Sequence, residues 1–265
     1  MRAPIDRLST AKRIRQSRTL LWALSLLLSI LLWQAVVVIF RIPAYLLPSP
    51  IATLAAIVDD AQILHRHALT TLLETVSGLG IALVLGVAVA LAMHRSRILR
   101  DLVYPHLVLS QAVPLIAIAP MILIWFGLGS LSKILVVAFV CFFPVTVNTY
   151  EGFRAVDPAY AELLDTFGAT ALDRYRHLYV PATLPAILSG AKLAATYSVL
   201  GAIVGEWLGG SLGIGVYMTR AQQSFRTDRL FGAILIVMAL SYALFKLVDG
   251  VGYLLTPWLR RRNHV

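Results

Sequence analysis

Charge is scarce in this sequence. Only 14% of its 265 residues are Asp, Glu, Lys or Arg, while 59% are hydrophobic and the mean hydropathy is +0.80. A soluble domain carries roughly a quarter charged and about half apolar residues, so the excess apolar surface here is expected to face lipid. Cysteine is scarcer still. Cys141 stands alone inside an apolar run, which excludes a disulfide framework or a cysteine-based metal cluster and reads as a quiet buried thiol. Among His65, His67, His94, His106 and His177, only one i,i+2 pair shares a neighbourhood, so no metal site is expected. The sequence also lacks a Gly-x4-Gly-Lys-Ser/Thr phosphate loop and shows no nucleophile–base set within its apolar runs. No catalytic residue and no cofactor are therefore expected, and any ATP hydrolysis must occur on another chain.

What the sequence has is long apolar runs. A helix of about 20 apolar residues spans the hydrocarbon core, because lipid offers the backbone no hydrogen-bonding partner. Six runs meet that length: Leu20–Phe40, Ala68–Met93, Leu102–Phe126, Leu131–Tyr150, Ile187–Leu208 and Leu230–Pro257. The first follows basic residues, but it is too long for a secretory signal and no small-residue cleavage site follows it. The expected fold is an all-α polytopic membrane protein with a basic N-terminus (1–19), a six-span domain (20–257) and a basic tail (258–265).

The net charge of +10 does not indicate a nucleic-acid partner, because Lys and Arg lie in short clusters between apolar runs. One set of connections, including both ends of the chain, carries 15 of them and the other set carries 6. Positive charge marks the cytoplasmic side, so both termini are expected in the cytoplasm of a bacterial inner-membrane protein. On the outer side, Leu47-Pro48-Ser49-Pro50 precedes a segment 51–64 whose Ile51, Leu54, Ile57 and Val58 fall on one helical stripe, expected to lie along the lipid interface. No internal repeat, inverted or parallel, is apparent.

The cytoplasmic connection 151–186 is patterned rather than plain. Asp157-Pro158 reads as an N-cap followed by proline at the first helical position, and Gly168 suits a left-handed helix stop. Asp173 and Arg174 fit a second short helix, which Pro181 and Pro185 are expected to end before the next span. Glu162, then Gly168 six positions on, then nine residues and Leu178-x-Val180-Pro181 resemble the coupling loop of binding-protein-dependent ABC importer permeases, Glu-Ala-Ala-x3-Gly-x9-Ile-x-Leu-Pro. Leu163 and Leu164 replace the two alanines, and Leu178 and Val180 replace Ile and Leu, all apolar exchanges. Pro114-Leu115 through Ile124-Trp125-Phe126-Gly127, Phe143-Pro144 through Asn148-Thr149-Tyr150, and Asp157-Pro158 look like the nitrate/sulfonate/taurine branch. Gly205-Glu206-Trp207-Leu208-Gly209, Gly213-x-Gly215-x-Tyr217-Met218 and Ser224-Phe225-Arg226-Thr227-Asp228 look like its members assigned to thiamine-pyrimidine precursor uptake.

The resemblance implies partners: cytoplasmic ABC ATPase subunits, an extracytoplasmic solute-binding protein and a second copy of the chain. It implies that Leu163, Leu164, Phe167 and Gly168 form an apolar docking surface for the ATPase, with Glu162 and Arg174 as polar contacts and Pro181 closing the motif. The cargo would be a small polar solute, anionic or heteroaromatic.

Other polar residues admit two readings. Pro114 and Pro120 should kink the third span, which makes Gln111 and Pro114 candidates for the translocation path or simply part of a packing kink. Asn148 and Glu206 are further path candidates, with an interfacial role favoured for Glu206 at a helix end. A buried carboxylate at Glu74 is costly and often functional. Lys246 and Asp249, at i and i+3, are expected to neutralise each other. Gly190, Ala191, Ala195, Gly201 and Gly205 suit close helix packing, within the chain or between copies. The rival to an ATP-driven permease is an ion-coupled secondary transporter, which needs charges at mid-membrane.

Overall fold

The computed structural model describes the backbone of residues 5–258, and the side chains of residues 20–258 apart from residue 22. Most of the basic N-terminus (1–19) and of the tail (258–265) thus lies outside the residues whose side chains are described. Every regular element among the described residues is helical.

The chain divides into two units. The smaller holds α1 (Ile5–Ile39), α2 (Pro50–Asp59) and the segment 221–232. The apolar part of α1 is Ala23–Ile39, and the helix ends at Arg41, which adopts φ 47°. Ser49 then caps α2 by accepting the Ala52 N–H at 3.1 Å, with Pro50 at the first turn. Expected as one piece, the segment 51–64 breaks at Asp60, because that side chain turns inward to meet Arg229 at 2.9 Å. Trp33 packs on Phe231 with ring centroids 5.7 Å apart. Ile51, Leu54 and Val58 stay exposed as one stripe, while Ile57 turns to Gly232.

The larger unit contains α3 (Ala61–Arg95), α4 (Arg97–Ser110), α5 (Leu115–Phe126), α6 (Ser130–Arg154), α7 (Pro158–Thr166), α8 (Ala171–Arg174), a π-turn (Tyr175–Tyr179), α9 (Val180–Gly209), most of α10 (Ile214–Gln223) and most of α11 (Thr227–Leu255). Helix α3, helix α6, the continuous run from α8 through α9, and α11 are long and apolar enough to cross a membrane. α6 and α9 form the centre. Val137, Cys141 and Val145 from α6 meet Ala191, Ala194, Val199 and Ala202 from α9, with Leu79 and Ala82 of α3 on one flank and Leu244 and Val248 of α11 on the other. The approach is close enough that a Cβ at Gly190 would sit 2.8 Å from the Pro144 carbonyl oxygen, and Gly201 and Gly205 lie against Val137 and Lys133. Small residues let helix backbones meet where lipid offers no hydrophobic drive for association. The small-residue stripe is thereby used within the chain.

The structure alters two sequence expectations. The third run bends far more sharply than a kinked helix, with α4 and α5 meeting at 107° across residues 111–114, as a broken span or a re-entrant loop. Gln111 and Ala112 donate to carbonyls three residues back, tightening the end of α4, and Pro114 opens α5 as its N-cap. A proline inside a helix lacks the N–H its predecessor's turn requires, yet Pro105 and Pro120 remain within α4 and α5. The break therefore arises from Pro114 together with the turn before it. Likewise, Pro181 and Pro185 do not end the short helix α8. Pro181 lies in the first turn of α9, after a π-turn in which the Val180 N–H reaches the Tyr175 carbonyl five residues back, and Pro185 lies inside α9. The wider turn supplies the room a proline ring needs against the preceding carbonyls.

Candidate functional site

The α7–α8 loop is built almost entirely by local bonds. Asp157 accepts the Ala159 N–H at 2.9 Å and Pro158 starts α7. At the other end Gly168 takes φ 74°, the left-handed conformation in which glycine carries no Cβ penalty. Thr170 then caps α8 in a reciprocal box: the Asp173 N–H reaches the Thr170 hydroxyl at 3.3 Å, and the Thr170 N–H reaches the Asp173 carboxylate at 3.0 Å. Arg174 spans back to α7, its guanidinium on the two Asp165 carboxylate oxygens at 2.9 and 2.8 Å. This pairing fixes the angle between the two short helices.

The loop buries little of its own apolar surface. Leu163, Phe167 and Leu172 are 53%, 79% and 75% exposed, Glu162 is exposed and Leu164 half-buried. The loop thus combines a locally bonded backbone with large apolar side chains presented outward. A groove of about 370 Å³, lined in part by Met93, Phe153, Pro158, Glu162 and Tyr179, separates α7 from the ends of α3 and α6.

At the far end of α9 the chemistry is the reverse. Glu206, expected at an interface, is 1% exposed. Its carboxylate accepts the Thr71 hydroxyl and the Gly215 N–H, each at 2.6 Å. The Ile214 N–H reaches the Thr71 oxygen at 2.8 Å, and His67 Nδ1 lies 2.6 Å from the Gly213 carbonyl oxygen. Together these clamp the segment 213–215, where Gly213 has φ 125°, at the start of α10. Beside them Lys133 Nζ pairs with Glu74 Oε1 at 3.3 Å, and both side chains are buried. One ammonium thus faces one carboxylate, Glu74, in a water-poor place. Such groups persist in membranes only when paired and hydrogen-bonded.

The four path candidates do not come together in one recorded set of contacts. Gln111 and Pro114 are exposed at the α4–α5 break. Asn148 donates to the Pro144 carbonyl of its own helix at 2.7 Å and lies against Gly190. Glu206 is buried as described. The expected Lys246–Asp249 pair is also corrected. Asp249 bonds Lys192 of α9, while Lys246 lies over the Tyr242 ring at 5.6 Å. Helix-to-helix pairing wins because α9 and α11 already pack together. The Lys133–Glu74 pair was not expected at all. Its signal was present: His67, Thr71 and Glu74 fall at i, i+4 and i+7 on an otherwise apolar helix, which is one face.

A bundle of apolar helices that presents a capped, exposed two-helix loop defines a membrane-spanning transport component. The family model for the binding-protein-dependent transport system inner membrane component matches residues 82–261, and the chain belongs to that family. It is 37% identical over 83% of its length to a "Probable ABC transporter permease protein" of Haemophilus influenzae, covering 90% of that protein. It is 38% identical over 82% of its length to the formylaminopyrimidine transport permease protein ThiX of Halalkalibacterium halodurans, covering 88% of it. A putative aliphatic sulfonates transport permease protein SsuC of Bacillus subtilis is 31% identical over 81% of this chain and 80% of its own. Among solved structures, an inward-facing MetNI methionine ABC transporter chain superposes with a TM-score of 0.65 at 16% identity, over 74% of this chain and 97% of that one, a likeness of fold. The chain is thus an ABC transporter permease component, of a class that works with a separate ATPase and a solute-binding protein.

Proposed function

We propose that this chain passes a small nitrogen heteroaromatic solute across a bacterial inner membrane, with a formylated aminopyrimidine ahead of sulfonates, taurine or nitrate. The observation that carries the transport role is the α7–Gly168–α8 loop, rigid in backbone yet exposing Leu163, Phe167 and Leu172. The substrate class rests on the resemblance to ThiX. Two copies of the chain form the pore, each docking an ATPase at Leu163, Leu164, Phe167 and Gly168, with Glu162 at the rim and Arg174 holding the loop in shape. Both termini and the loop 151–186 face the cytoplasm, and the six-span arrangement counts α1 and the bent α4–α5 pair as one span each. The solute passes the α4–α5 break near Gln111 and Pro114, and Asn148 is a further path residue on α6. Glu206 closes the outer end by holding the segment 213–215.

The buried charges at Glu74, Lys133 and Glu206 are the kind an ion-coupled carrier would use. Here Lys133 sits in the first turn of α6 and already fills the place of a cation, which favours a structural role. The test is uptake into proteoliposomes holding the purified permease, its ATPase and its binding protein, with labelled formylaminopyrimidine and labelled taurine as cargo. ATP-dependent uptake of the pyrimidine is expected. Uptake driven by an ion gradient without ATP would overturn the reading, and ATP-driven uptake of taurine alone would reassign the substrate.

A further inference from the structure

Between the α7–α8 loop and the body of α9 lies a single widened helical turn, Tyr175–Tyr179. Single π-turns within α-helices are rare and are found frequently at functional sites. This one is gripped from outside. His94, in the last turn of α3, stacks on Phe153 in the last turn of α6, with centroids 4.8 Å apart and an interplanar angle of 20°. The same imidazole meets Tyr175 edge-on at 5.8 Å and Tyr179 at 4.7 Å, and the two tyrosines lie 5.2 Å from each other. One ring therefore ties three helices together by aromatic contacts, each with an orientation preference beyond simple burial.

Everything on the loop side of this clasp is stiff. The Thr170–Asp173 capping box and the Asp165–Arg174 pair make α7 and α8 one body. A groove lies between α7 and the ends of α3 and α6, so the loop joins the body at two places, where residues 155–157 leave α6 and where α8 enters α9. On the other side α9 runs 30 residues, Val180–Gly209, and carries Glu206 and its clamp in the last turn. Along the chain, a force on the loop reaches α9 through the π-turn, and an unsupported wide turn would absorb part of it by winding and unwinding.

We propose that His94 is a positioning residue for energy coupling, holding the π-turn at Tyr175 and Tyr179 so that displacement of the α7–α8 loop is delivered to α9. This rests on the permease reading above. His94 touches neither the solute path nor the exposed loop face; it acts through the two tyrosines.

The experiment compares His94→Ala, His94→Phe and Tyr179→Leu in the complete reconstituted transporter, reading ATP hydrolysed per solute imported. For His94→Ala and Tyr179→Leu that ratio is expected to rise about five-fold, the effect of a modest loss in a marginal balance, while His94→Phe, which restores a stacking ring, returns it close to the unmutated value. An unchanged ratio in His94→Ala overturns the proposal, as does a raised ratio that His94→Phe fails to lower. Should His94→Ala not assemble, an unchanged ratio in Tyr179→Leu overturns it equally. Failure of the permease reading registers elsewhere, as solute import without ATP consumption by the unmutated chain, and that result would overturn both.

Discussion

The two ends of α9 are built on opposite principles. At its start, the α7–α8 loop is stabilised by bonds between residues at most nine apart, such as Arg174 to Asp165, and it leaves its apolar side chains in the open. At its finish, Glu206 is buried and bonded to Thr71, 135 residues earlier in the chain, and polar groups there replace solvent for one another. On the proposed function, a surface that meets a separate protein is made rigid locally, so that it keeps its shape when the partner leaves. A closure inside the membrane is made from distant parts, so that it holds only when the helices are in register. That proposal reads the difference as a docking surface against a latch.

The largest effect expected from testing that contrast is at the buried end. Lys133→Met strands the buried Glu74 carboxylate and should cost about 3–5 kcal/mol, the usual effect of removing one partner from a buried ion pair. Thermal unfolding of the detergent-solubilised chain measures this, and the double variant Lys133→Met/Glu74→Leu should recover much of the loss. A single variant that melts like the unmutated protein would erase the contrast. At the exposed end, Gly168→Asp puts a Cβ at φ 74° and should cost about 1–2 kcal/mol of local strain, less than the loss at the buried end and with the amount of chain in the membrane nearly unchanged. Its uptake should fall roughly ten-fold, since about 1.4 kcal/mol lost in docking has that effect. Uptake at the normal rate would remove Gly168 from the docking surface.

Smaller effects refine the latch. Glu206→Gln keeps an acceptor for Thr71 or the Gly215 N–H but loses the charge, so about 1–2 kcal/mol of stability should go. A cysteine placed at Leu212, in a Cys141→Ser chain, should then react faster with a thiol reagent than when Glu206 is present. Equal labelling would mean that Glu206 does not hold the segment. Asp249→Asn should have the least effect, within about 1 kcal/mol, because the Lys192–Asp249 pair is partly exposed. A larger destabilisation would show a second buried electrostatic tie between α9 and α11.

Legibility in the sequence follows the same division. The loop could be read because caps and stops act over a few residues: Asp157-Pro158 and Gly168 do in the structure what their chemistry foretells. The apolar runs could be read because length and composition alone make a span possible. The continuation of α8 into α9 could not, since nothing in the local sequence marks the π-turn that accommodates Pro181, and its tyrosines meet His94 from α3, a partner distant in the chain. Nor could the partners of Glu74, Asp249 and Glu206. A charge is attributed most readily to its sequence neighbour, as Lys246 was to Asp249, whereas packing of α9 against α11 puts Lys192 closer. The break between α4 and α5 was half legible: Pro114 marked the place, but nothing local set an angle of 107°.

The most direct test of the account is a cross-link from the exposed loop. Phe167→Cys in a Cys141→Ser chain, purified with its ATPase and treated with a short bifunctional thiol reagent, should join the permease to that ATPase, with a yield that changes when ATP is added. An ATPase that co-purifies while residue 167 reacts freely with small thiol reagents and never cross-links to it would contradict the assignment of the loop as the docking surface.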